Sequence, residues 1–114
     1  MSYQNGQLAN GRWFQLTLVE QMANIGSEVI RAISWRKKGD RVYSRLAFER
    51  TLELLDLTVA DPQHKSRLKE ICRVREVLCD YFAGDNEYKS TDKQWEKYFY
   101  AFNYAAMKTR TKHH

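Results

Sequence analysis

Few side chains in this sequence of 114 residues have the type and spacing for covalent chemistry. The histidines are His64, His113 and His114, and the last two read as the remnant of a terminal tag. Arg110 to His114 approaches the arginine-to-histidine spacing of helical nucleases, but in a tail with nothing to hold it. The carboxylates Glu20, Glu28, Glu49 and Glu53 do not form the Glu-x-x-His pairs that hold di-iron in helical bundles. No Cys-x-x-Cys pair, His-Glu-x-x-His, phosphate-cradling glycine loop or Gly-x-Ser-x-Gly elbow occurs. Cys72 and Cys79 share one helix face about 10 Å apart along the axis, beyond disulfide reach. They read as small core fillers in a reducing compartment. The expectation is no enzyme, no metal and no cofactor.

What remains is charge. The formal net charge is +5 and the sequence pI about 9.3, which favours a polyanionic or acidic partner. Lys65, Lys69 and Arg73 recur every four residues and form one exposed line on a helix. With Lys37 and Lys38 they are the candidate contacts to RNA or DNA. Further on, Tyr100 and Tyr104 stand beside Lys93, Lys97 and Lys108, a pattern that suits base stacking with phosphate contact. Tyrosine is also enriched at protein interfaces, and that use is preferred for Tyr100 and Tyr104.

The elements that must carry these groups are helical. One proline and five glycines leave little material for a turn-rich, many-stranded fold. No run reaches the eighteen or more apolar residues of a membrane span, and MSYQNGQLANG lacks a signal-peptide h-region, so a cytoplasmic setting is expected. Residues 1–11 read as a flexible lead, 12–110 as one domain and 111–114 as a disordered tail. A first helix runs from Arg12 to Lys38, closed by Gly39. Asp40 caps a second helix that runs to Ala60, and Asp61-Pro62 opens a third that ends at Gly84. Ser90 or Thr91 caps the fourth. Short connections make an antiparallel up-down four-helix bundle the economical arrangement.

Individual faces sharpen the expectation. Leu18, Met22, Ile25, Val29 and Ile33 form the buried stripe of helix one, and Gly26 on that side predicts a close helix crossing. Helix two is apolar on two sides, with Leu46, Leu54 and Leu57 on one. Phe48, Leu52, Leu55 and Val59 lie on the other, so Phe48 and Leu52 are candidates for a partner interface. In helix three the seam Leu68, Ile71, Arg75, Leu78, Phe82 contains an arginine. A buried guanidinium demands a carboxylate, so Arg75, and Arg50 on helix two, are expected in internal or inter-subunit ion pairs with Glu28, Glu53 or Asp56. Trp95, Tyr98, Phe99 and Phe102 are the core side of helix four.

In layout the whole chain resembles the small bacterial four-helix-bundle proteins of the 23S rRNA intervening-sequence type. That superfamily includes the accessory variability protein of diversity-generating retroelements. The texture of GRWFQLTLVEQMANIGSEVIRA, AFERTLELLDLT and REVLCDYFAGDNEY carries the likeness, and NIGSE echoes an asparagine-isoleucine-alanine-glutamate-glycine turn of the family in a different helix. The resemblance implies a homo-oligomeric, ring-forming accessory bundle that engages RNA or DNA together with a reverse transcriptase. The alternative is a protein-interaction subunit, or a mate of toxin–antitoxin type, with no direct nucleic-acid contact.

Overall fold

A computed structural model describes residues 11–112, so all but Gly11 of the expected lead over 1–11, and the final His113 and His114, lie outside the described residues. Every regular element among those residues is helical: α1 (Leu18–Lys37), α2 (Arg41–Ala60), α3 (Leu68–Ala83) and α4 (Asp92–Lys112), with 3-10 turns at Trp13–Gln15 and Pro62–Arg67. The last helix continues through residues 111 and 112, where a tail is expected from sequence.

Local chemistry sets the boundaries. Thr17 and Glu20 form a capping box, each side chain accepting from the other's backbone N–H at 3.1 and 2.8 Å. Helix one therefore begins at Leu18 rather than near Arg12. At the other end Asp40 N–H reaches the Trp35 carbonyl and Gly39 N–H the Arg36 carbonyl, both at 3.0 Å, the paired bonds of a Schellman stop. Gly39 has φ +81°, a conformation that favours glycine. The Asp40 carboxylate then caps α2 by accepting from Tyr43 N–H. Asp61 caps the Pro62 turn in the same way, but the chain departs from helical geometry at His64 (φ −106°, ψ 23°), and α3 proper starts only at Leu68. Thr91 and Gln94 make a second reciprocal cap ahead of α4.

The backbone of α1 packs closely along both α2 and α4, and α2 also packs on α3. Their shared core holds Met22, Ile25, Val29 and Ile33 of α1, Leu54 and Leu55 of α2, Ile71 and Leu78 of α3, and Trp95 and Phe99 of α4. Gly26 is where α1 meets α4: a β-carbon there would stand 2.7 Å from Phe99 Cβ. Absence of a side chain at Gly26 is thus what lets the two helices cross so closely.

The apolar seam of α3 is Ile71, Val74 and Leu78. It steps through Val74 instead of Arg75, and Leu68 at the first position of the helix remains 38% exposed. Cys72 is exposed and Cys79 half-buried, both free, so Cys72 does not fill the core as expected.

Candidate nucleic-acid interface

The one internal histidine is spent on structure. Gln21, fully buried, donates from Nε2 to Asp61 Oδ2 and to the Trp13 carbonyl, each at 3.0 Å. Its Oε1 lies 3.1 Å from His64 Nε2, which is also 3.3 Å from Asp61 Oδ2. Trp13 Nε1–H donates to Thr58 Oγ1, and Gln63 Nε2–H to the Phe14 carbonyl. This buried network ties the Trp13–Gln15 turn to α1 and to the α2–α3 junction. It leaves His64 enclosed, without the open reaction space that a general base needs.

The network also sets an acid response. Burial works to raise the Asp61 pKa, but the Gln63 backbone N–H, the Gln21 amide, the His64 charge and the Gln63 side chain outweigh it and hold the carboxyl below its ordinary value. A carboxylate with a lowered folded-state pKa stabilises the fold above the unfolded value of about 3.9. That contribution disappears as pH falls through the folded value. The thermal midpoint is therefore expected to drop as pH falls below about 4, and Asp61→Asn should flatten that drop in a pH series followed by circular dichroism.

The expected basic contacts divide into two places. Lys65, Lys69 and Arg73 are all exposed, but Lys65 lies in the 3-10 turn before α3, so the four-residue line holds only for Lys69 and Arg73. Arg73 stacks over the Tyr88 ring at 4.9 Å, and Tyr88 O–H donates to Glu76. Tyr88 is held there by a built loop: the Asp80 carboxylate accepts from Glu87 and Tyr88 N–H, and Asn86 is bonded through its amide to both backbone groups of Ser90.

Lys37 and Lys38 belong to the corner where α1 turns into α2. Lys37 reaches Glu96 at 3.4 Å and Lys38 sits over the Trp35 ring. Sequence reasoning missed the arginines beside them. Arg36, Arg41 and Arg45 line a cleft of about 480 Å³ with Gly39, Ser44 and Phe82. Arg36 is braced: it pairs with Asp92 at 3.2 Å and lies over the rings of Tyr81 and Phe82. Tyr81 O–H donates to the same Asp92 carboxylate. Burial and that bond push the Tyr81 pKa up to about 12, so the phenol remains a donor at neutral pH. Arg41 and Arg45 are exposed, one turn apart on α2, and make no salt bridge among the described residues. Two such guanidiniums beside Arg36 offer a concave, multiply charged surface to anions. The spacing of Arg41 and Arg45 was visible in sequence; their convergence with the far ends of α1 and α3 was not.

The remaining expectations fare unevenly. Arg75 does pair with Asp56, at 2.8 Å from Nε and 3.5 Å from Nη2, but 37% and 60% of the two side chains remain exposed. This is a surface pair between α3 and α2, worth at most about 1 kcal/mol, rather than a buried charge. Glu28 is taken by Arg31 on its own helix at 2.9 Å. Arg50 and Glu53 are half-buried on α2. Of the interface candidates, Phe48 is 8% exposed and packs on Phe82, so the chain's own core already covers it; Leu52 is half-buried. Tyr100 and Tyr104 are exposed and stacked on each other, with Met107 exposed and Lys108 over the Tyr104 ring.

Among the described residues no helix is long and apolar enough to cross a membrane, and no three His, Cys, Asp or Glu side chains gather as a metal site. No family model, curated protein or solved structure matches this chain.

Proposed function

We propose that this chain is a non-catalytic, cytoplasmic helical bundle that binds nucleic acid through phosphate contacts at the α1–α2 corner. In this reading its four helices alternate up and down, as the short connections favour. One observation carries the proposal: Arg41 and Arg45, without carboxylate partners, flank a cleft whose third arginine is already fixed in place. Lys38, next to Gly39 in the chain and over the Trp35 ring, adds a fourth cation, and Trp35 and Tyr43, tilted against each other with centroids 4.9 Å apart, supply aromatic surface for a base. Nothing in the cleft reads base edges in a groove, so the interaction is with backbone and stacking, hence sequence-tolerant. Lys65 and Lys69 form a second basic patch further along the bundle. The stacked Tyr100 and Tyr104 with Met107 favour self-association through α4. A partner enzyme such as a reverse transcriptase rests on the layout resemblance alone.

Replacing both exposed arginines, Arg41→Glu with Arg45→Glu, is expected to weaken binding of a fluorescein-labelled single-stranded RNA more than about tenfold at low salt. Circular dichroism should be unchanged, because both side chains project into solvent. Equal affinity for the variant and the parent chain would remove the corner from the interface.

A further inference from the structure

Three of the neighbouring helix pairs pack backbone to backbone, whereas α3 and α4 are joined mainly by side chains. Tyr98 O–H donates to Glu70 at one point of this seam, and Tyr81 O–H to Asp92 at another. Between these bonds lies an open groove of about 250 Å³, walled by Val74, Val77, Trp95 and Tyr98, with Arg73 at its rim. Trp95 is 7% exposed, yet its indole N–H finds no acceptor. Arg73 makes no salt bridge among the described residues. An unclosed apolar seam thus combines a cation without a carboxylate partner at its mouth, stacked on Tyr88, with a wall residue that holds an unpaired donor.

We infer that the α3–α4 seam is a docking groove for an acidic peptide segment of a partner protein, which inserts one bulky apolar side chain and sets a carboxylate over Arg73. The volume is below the roughly 300–1,000 Å³ of pockets that enclose small-molecule ligands, but it accommodates an anchoring side chain of the kind that dominates peptide docking. Val74, Val77, Trp95 and Tyr98 give the groove a largely apolar surface, with Ser90 and Gln94 as its neutral polar members, which suits an aliphatic or aromatic side chain. The net charge of +5 favours an acidic occupant. An acidic segment gains from that same charge, with Lys69 one turn from Arg73 and Lys65 beyond it. This site is separate from the arginine corner and stands whether or not that corner binds RNA.

The test is an NMR titration of the unmodified chain, whose three indole N–H signals belong to Trp13, Trp35 and Trp95. The probes are fluorescein-labelled glutamate-rich dodecapeptides carrying leucine, phenylalanine or tryptophan at two positions four apart, and a control with serine at both. At least one anchored peptide is expected to move the Trp95 indole signal and leave that of Trp13 in place. By anisotropy the serine control should bind at least tenfold more weakly, and Arg73→Glu should weaken the anchored peptide at least tenfold. Arg41→Glu with Arg45→Glu should leave peptide affinity within twofold, which separates this site from the RNA-binding reading. The inference is overturned if no anchored peptide shifts Trp95 at millimolar concentration, or if the serine control binds equally well. It is equally overturned if an oligouridylate moves the Trp95 signal and displaces the peptide, which would give the groove to nucleic acid.

Discussion

Gln21→Ala is expected to destabilise the fold by about 3 kcal/mol, the effect of stranding several buried polar groups at once. The substitution removes the amide that Asp61, His64 and the Trp13 carbonyl share. Asp61 keeps its bonds to Gln63, but it loses a buried donor in a site only 3% exposed. His64 loses its partner on α1. For a domain of this size that loss lowers the thermal midpoint by more than about 10 °C. Thermal denaturation by circular dichroism measures the shift, and Trp13 emission should move to longer wavelength as the 3-10 turn releases. A midpoint within a few degrees of the parent would mean that water can replace the amide and that the network does not hold the turn.

Substitution of Gly26 tests the second most sensitive point. Alanine in a helix gains about 1 kcal/mol over glycine in propensity, so an open position would be stabilised. Here the nearest atom to the added carbon is Phe99 Cβ at 2.7 Å, and that atom does not move when the phenyl ring rotates. Relief requires α1 and α4 to separate, which opens the fully buried contact of Phe99. Overpacking of this kind costs about 1–3 kcal/mol. Gly26→Ala is therefore expected to be net destabilising by about 1 kcal/mol, and Gly26→Leu by about 3 kcal/mol or more. Urea denaturation of the two variants gives the numbers, and a stabilised Gly26→Ala would show that the crossing is looser than drawn.

Those two positions mark what a sequence can and cannot disclose. Gly26 was legible because a glycine on an apolar helical face has one economical use. The stops and starts at Gly39, Asp40, Gly84 and Thr91 were legible too, since capping is a local matter of a few backbone bonds; at Asp61-Pro62 the cap was legible, but not the 3-10 turn that delays α3 to Leu68. The Asp56 partner of Arg75 was among the expected carboxylates; its surface placement was not, because the inward seam runs through Val74. Gln21 gave no signal, as its partners lie up to 43 residues away in sequence. Trp13 was hidden for a related reason: helical periodicity runs smoothly past it, while Thr17 and Glu20 decide where the helix starts. The arginine cleft escaped notice because it exists only where the ends of three helices meet.

The proposal that phosphates bind at the α1–α2 corner is tested most directly by the salt dependence of binding to a labelled single-stranded RNA. If Arg41, Arg45 and Lys38 each neutralise one phosphate, log affinity should fall against log salt with a slope of about −2. In the chain carrying Arg41→Glu and Arg45→Glu the slope should shrink to less than half of that. An affinity indifferent to salt, or a slope that survives the double substitution, would contradict it.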